Sequence, residues 1–308
     1  MTATAATAAS EASALTASVE LIRRGAITAT ARVCRVTRKS VQSRARVTDS
    51  LRTDTLRPMI IAPYSSRGVA RESALGLAAL AHALAPGEPT AVAVPVTPDP
   101  VDGVVAGLPA LRAAVAAEPG VPVALIGECT LVPAILAAML QREPDTCLIW
   151  VDAHGDLNTP ETSPSGFIGG MPLAVLTGVC HPRWREAAGL TRGFPDERVA
   201  LVGARDLDPG ERELLDRTTM HEVDTCAEAI AALPAGTPLY VHLDTDVLDP
   251  SEVPDAGFPA PGGWSVERFV SELEPLARSG RVVAVSVCPS APPAVDARIV
   301  RTLLTHAD

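Results

Sequence analysis

Seven short runs of Val, Leu, Ile and Ala recur between residues 58 and 287, and stretches of helical period lie between most of them. The runs are PMIIAPY (58–64), PTAVAVPV (89–96), VPVALIG (121–127), TCLIWVD (146–152), RVALVG (198–203), PLYVHLD (238–244) and RVVAVSV (281–287). The helical stretches are RESALGLAALAHAL (71–84), VDGVVAGLPALRAAVAA (101–117), TLVPAILAAMLQRE (130–143), GERELLDR (210–217), TCAEAIAAL (225–233) and SVERFVSELEPLARS (265–279). A run that is apolar at nearly every position has no polar face to give to water, so both faces of its strand must be covered. Such runs alternating with helices predict an α/β fold, a three-layer α/β/α sandwich around a central parallel sheet. In sheets of this kind ligands bind beyond the carboxyl ends of the strands. Four polar clusters stand at those ends: GECT (127–130), DAHGD (152–156), GARDLD (203–208) and HLDTDVLDP (242–250).

The chain of 308 residues is 47% hydrophobic but only 3% aromatic, so its core must be built from Ala, Val and Leu. That suffices for one large domain, expected over residues 57–308. Residues 1–56 are rich in Ala, Thr, Ser and Arg and poor in large apolar side chains, which reads as an N-terminal extension, disordered or loosely packed. A net charge of −10 offers nothing to neutralise phosphates, which argues against nucleic acid and anionic membrane as partners. Asp, Arg, Pro or Gly interrupts each apolar run before it reaches membrane-spanning length. The six cysteines show no CxxC pairing and read as the reduced thiols of a cytoplasmic protein.

Asp152, His154 and Asp156 are spaced by one residue each, so on an extended backbone their side chains would share one face. Asp244 and Asp246 repeat the pattern at the end of another apolar run. Paired carboxylates at strand ends are costly unless something positive sits between them. A lone DxHxD could serve as turn or capping chemistry, but two such clusters point to two divalent metal ions. Two ions roughly 3.5–4 Å apart would bridge a water and bring its pKa towards ~7, giving hydroxide near neutral pH. Both clusters are expected to converge on one site, although about ninety residues separate them.

DAHGDLNTPETSPSG and LDTDVLDPSEVP…PGG, with VGARDLDPGERELL between them, resemble the arginase/agmatinase family, also called ureohydrolases. The resemblance runs from about Pro58 to the C-terminus. It implies an arginase-like catalytic domain and a binuclear manganese centre on Asp152, His154, Asp156, Asp244 and Asp246. It also implies a small amino-acid substrate and a homo-oligomer, trimer or hexamer. Asp156 would accept a hydrogen bond from the attacking solvent. The α-carboxylate and α-amino group of the substrate would be held at Asn158, Ser163, Ser165 and Asp208.

Four positions depart from the family. The turn that usually carries a metal-ligating histidine reads IGECT, which puts Cys129 in its place. That change, with the NTPET continuation, resembles the Nω-hydroxy-arginine amidinohydrolase branch of cycloserine biosynthesis and implies a sixth, thiolate ligand. A buried structural cysteine is one alternative. A cysteine nucleophile is a lesser one, since no histidine partner is identifiable and His242 reads as a core residue of its strand. The glutamate that grips guanidinium falls on Pro289, a nearby threonine on Phe258, and the mobile proton-shuttling histidine on Gly169. A proline cannot pair with a guanidinium, and burying that cation unpaired is expensive, so either another acid reaches in or the group cleaved is not a plain guanidinium. The expected function is therefore metal-dependent hydrolysis of the amidino C–N bond of a modified arginine-like amino acid, for example an N-hydroxyguanidine. A non-guanidine C–N substrate and a catalytically weakened binding protein are the alternatives.

Overall fold

The computed structural model describes residues 59–67, 70–85 and 87–305; the expected extension over residues 1–56 lies outside them. The strands are β1 (Ile60–Ala62), β2 (Thr90–Ala91), β3 (Val123–Ile126), β4 (Cys147–Val151), β5 (Val199–Val202), β6 (His221–Val223), β7 (Leu239–Asp244) and β8 (Val282–Cys288). They form one sheet in the order β2-β1-β3-β8-β7-β4-β5-β6, and every pairing is parallel. The helices are α1 (Ala70–Leu84), α2 (Pro100–Ala117), α3 (Val132–Arg142), α4 (Pro172–Thr177), α5 (Pro182–Ala188), α6 (Pro209–Leu215), α7 (Cys226–Ala232), α8 (Val266–Arg278) and α9 (Pro293–Thr305).

The central strand β4 shows why the runs are apolar throughout. Leu148 and Trp150 face a core shared with α2, α3, α4 and α5, while Cys147, Ile149 and Val151 face a second core shared with α1, α7, α8 and α9. Both faces are buried, which makes the three-layer α/β/α sandwich that the sequence predicts. One extra residue enters β8 where Leu239 pairs with Val282 but Tyr240 pairs with Ala284, so Val283 is left over as a bulge.

The expected strand over 89–96 pairs with β1 only through Thr90 and Ala91. Prolines at 95 and 98 have no N–H to give a ladder, and the chain leaves the sheet edge before reaching them. Val92 and Val94 still bury their side chains in the core beside α2. A Cβ on Gly103 would overlap the Pro95 carbonyl oxygen, so glycine lets α2 approach this segment closely. Asp99 starts α2 by accepting the Val101 N–H at 2.9 Å. By length and composition alone α2 is apolar enough to cross a membrane. Here Val104, Leu108, Leu111 and Val115 spend that apolar surface on the sheet.

Candidate metal centre

Sheet order assembles the site. β3, β8, β7 and β4 are neighbours, so Cys129, Cys288, Asp244 and Asp152 stand at adjacent strand ends. Asp244 pairs in register with Cys288, and Leu243 with Val151, which sets Asp152 level with Asp244. Cys129, Asp152, His154, Asp156, Asp244 and Asp246 all line one cavity of about 410 Å³. The two carboxylate clusters thus converge, as expected from their positions at parallel strand ends.

The local route to this convergence differs from the extended chain that the alternate spacing suggests. β4 ends at Val151, and Asp156 has a φ of 50°, in the left-handed region that Asp tolerates better than most residues. The Asp156 carbonyl accepts the Leu173 and Ala174 N–H groups at 2.9 and 3.3 Å, which fixes the turn. Glu211, buried in the first turn of α6, accepts the Leu157 N–H at 2.9 Å and the Asp208 N–H at 2.8 Å. One carboxylate therefore ties the DAHGD loop to the start of α6.

His154 Nδ1 lies 3.3 Å from Asp152 Oδ1 and 3.3 Å from Asp246 Oδ2. The second Asp152 oxygen accepts the Trp150 indole N–H at 3.1 Å. Asp244 accepts the Asp246 N–H at 3.0 Å through one oxygen and the Cys129 thiol at 3.2 Å through the other. Burial raises the Asp152, Asp156 and Asp246 carboxyls, each helped by a neighbouring carboxylate, and Asp244 is pushed up to about 7 by burial and by Asp246. Burial works against a charged His154, but its hydrogen bonds to Asp152 and Asp246 prevail and hold it up to about 12. The neighbouring Cys288 and burial raise the Cys129 thiol well above its ordinary value.

Eight carboxylates line the cavity against one arginine and one histidine. Among the described residues, Asp156 Oδ2 is buried there without a hydrogen-bond partner. An excess of buried acid with an unbonded carboxylate oxygen fits divalent cations, and the mixed carboxylate, imidazole and thiol donors suit first-row metals.

Asn158, Ser163, Ser165 and Asp208, expected at the substrate end, also line the cavity. Asn158 Nδ2 donates to Asp208 Oδ2 at 2.9 Å. The Ser163 and Ser165 hydroxyl oxygens accept the N–H groups of Gly166 and Phe167, which leaves both hydroxyl protons free to be donated. Of the altered positions, Phe258 and Gly169 border the cavity, whereas Pro289 does not and its neighbours Cys288 and Ser290 do.

Several residues here escape a sequence reading. Arg67 lies over the rings of Phe167 and Phe258, its guanidinium carbon 4.3 and 4.2 Å from their centroids, and it borders the cavity. Cys288 ends an apolar run, the one signal that links it to Asp152 and Asp244. The expectation that Cys129 lacks a histidine partner is overturned. His242 is fully buried, as its strand position suggests, but its Nε2 lies 3.3 Å from Cys129 Sγ. Its Nδ1 lies 2.8 Å from Ser286 Oγ, and that hydroxyl lies 2.6 Å from Tyr240 OH. Tyr240, His242 and Asp244 alternate along β7, a period-two pattern that already placed the imidazole on the same face as the acid.

A Cβ at Gly169 would overlap the Phe167 ring, so a side chain there requires that ring to shift. Gly169→Ala is expected to destabilise the protein by about 1–3 kcal/mol through overpacking. The cost should shrink in a Phe167→Ala background, which denaturant unfolding of the two single variants and the double variant measures. Equal costs in both backgrounds would show that the ring does not set the space.

A sequence model of the arginase family matches residues 90–306. The chain is 41% identical to an arginase of Brevibacillus brevis over 168 residues, 51% of this chain and 56% of that one. It is 36% identical to an N(omega)-hydroxy-L-arginine amidinohydrolase of Streptomyces lavendulae over 138 residues, 44% of this chain and 48% of that one. The chain thus spans about half the length of these curated relatives. The crystal structure of arginase from Bacillus subtilis superposes with a TM-score of 0.69 at 29% identity, covering 80% of this chain and 98% of that one.

Proposed function

The chain belongs to the arginase family, and on that premise we propose that it is a metal-dependent hydrolase of the amidino C–N bond in a modified arginine-like amino acid, for example an N-hydroxyguanidine. Cys129, Asp152, His154, Asp156, Asp244 and Asp246 would hold two divalent metal ions, manganese by analogy with the family. When bound, the ions supply the Lewis acidity that makes a nucleophile from water near neutral pH. Asp156, whose Oδ2 has no hydrogen-bond partner among the described residues, would accept a hydrogen bond from the attacking solvent. Asn158, Ser163, Ser165 and Asp208 orient the amino-acid end, the serine hydroxyls donating to the α-carboxylate and Asp208 facing the α-ammonium.

The observation that carries the substrate class is a full set of acid, histidine and thiol donors beside family guanidinium positions, 258 and 289, that carry no acid. Pro289 and Phe258 offer no carboxylate, and Arg67 stacked on Phe258 adds a positive charge near the cavity mouth. A guanidinium cation finds no carboxylate at either position, and Arg67 does not compensate for that loss. An N-hydroxyguanidine is less basic, so it needs less compensation. Its hydrolysis adds water across the amidino carbon and releases hydroxyurea and the free amine. The likeness to the Streptomyces enzyme supports the same class.

Assay of the metal-loaded protein for urea and hydroxyurea over a panel of guanidino and N-hydroxyguanidino acids tests this reading. Turnover of the hydroxylated acids is expected to exceed that of their plain counterparts by at least about tenfold in kcat/KM. Preference for plain arginine would overturn the substrate class, and a protein that binds no metal and turns over neither would overturn the enzyme.

A further inference from the structure

Among the described residues, two of the three donor groups at the site differ in chemistry, and the third, Cys129, Asp152 and His242, links them. Asp152, His154 and Asp246 offer only oxygen and nitrogen, and their ligating atoms lie within 4.8 Å of one another. Cys129, Asp244 and Cys288 form the second group within the same limit, and it is rich in sulfur. We propose that Cys288 is a second thiolate ligand, so that the Cys129 half of the metal pair is a two-sulfur site that favours softer divalent ions than manganese. This rests on the reading of the cavity as a metal centre.

Geometry carries the argument. β8 lies between β3 and β7, which places Cys288 between Cys129 and Asp244 along the rim, and Cys288 borders the cavity. Two thiols facing a carboxylate make a poor hydrogen-bonded cluster, since a thiol is a weak donor and acceptor. A divalent cation displaces the thiol protons and gives three anionic donors one partner. Asp156 Oδ2, 5% exposed as a residue and unpartnered, borders the same cavity and supplies a further oxygen.

Donor chemistry then separates the two halves. Thiolates suit softer ions such as zinc, cobalt and ferrous iron, whereas carboxylates and waters suit manganese. The hydrogen-bond chain from Tyr240 through Ser286 to His242 ends on Cys129. With each hydroxyl donating towards the imidazole, Nε2–H is left to donate to the sulfur, which orients a thiolate as an outer partner does at a metal site.

Cobalt(II) is the probe, because sulfur-to-cobalt charge transfer reports thiolate ligation without any turnover. The wild-type protein loaded with two cobalts per chain should show, by X-ray absorption at the cobalt edge, one sulfur scatterer per cobalt on average. Ligation by Cys129 alone gives one sulfur for every two cobalts and overturns the proposal while leaving the metal centre standing. Cys288→Ser should lose about half of the charge-transfer intensity per bound cobalt. Its ratio of bound cobalt to manganese under competition should fall by about tenfold or more. An unchanged band on a fully loaded variant overturns the assignment, and an unchanged ratio overturns the selectivity. Should Cys288→Ser fail to fold, the wild-type absorption measurement still decides. A wild-type protein that binds no cobalt or manganese overturns both this proposal and the metal-dependent reading beneath it.

Discussion

Stripped of divalent metal, the protein is expected to lose stability as pH rises from about 4 to about 7, and bound metal is expected to reverse that trend. Asp244 rises from an ordinary 3.8 to about 7, burial being the larger cause and Asp246 the next. Asp152, Asp156 and Asp246 are raised as well, each chiefly by burial. Between the unfolded value and the folded one, the folded chain holds protons that the unfolded chain has released. Stability then falls with rising pH, because the folded state is the one that binds more protons. These carboxyls contribute fully below their unfolded pKa, and the contribution is lost as pH passes their folded pKa. His154 acts with the same sign: burial opposes its charge, yet the bonds to Asp152 and Asp246 hold it up to about 12, so its contribution is complete below 6.5 and drains away above it. The loss across the carboxylate window is expected to be on the order of 2–4 kcal/mol, read by urea unfolding in chelator near the two ends of that window. Divalent metal competes with the same protons, so its stabilisation grows with pH. Metal-free protein that gained stability over the window would contradict the crowding of acids described above.

That crowding was half visible in the sequence. Strand ends are legible because a fully buried strand must be apolar throughout, so the first charged residue after TCLIWV or PLYVHL marks where the chain leaves the sheet. The acids at 152 and 244 stand at such marks. The order β3-β8-β7-β4 was not legible, because it depends on where later strands insert between earlier ones, and no local pattern encodes that. Cys288 is hidden for this reason: at the end of VVAVSV a cysteine reads as one more small apolar residue. His242 was read as core and is core, but burial alone does not say what an imidazole touches across a sheet. Arg67 stands in a short loop before α1, where no periodicity points anywhere. The segment over 89–96 misleads in the other direction, since its valines alternate like a strand while its prolines forbid a ladder.

Cys129→Ser is expected to lose metal and activity together, and the loss of affinity should exceed the ~10–100-fold that removing a mere outer partner costs. The contact with His242 reopens the alternative in which Cys129 attacks the substrate itself, since a thiol beside an imidazole is how cysteine nucleophiles are activated. The proton balance decides against it. Burial drops His242 to about 3, while Cys288 and burial raise the Cys129 thiol well above its ordinary 9.0. Both shifts oppose moving the proton from that sulfur to that nitrogen, which disfavours a thiolate–imidazolium pair without help. A divalent ion provides the help directly, because it deprotonates a coordinating thiol outright. Metal content and rate measured on the same Cys129→Ser protein therefore separate three outcomes. Loss of both marks a ligand; full metal with no activity marks a nucleophile. Retention of both would leave the thiol as packing, with Asp152, His154, Asp156, Asp244 and Asp246 sufficient on their own.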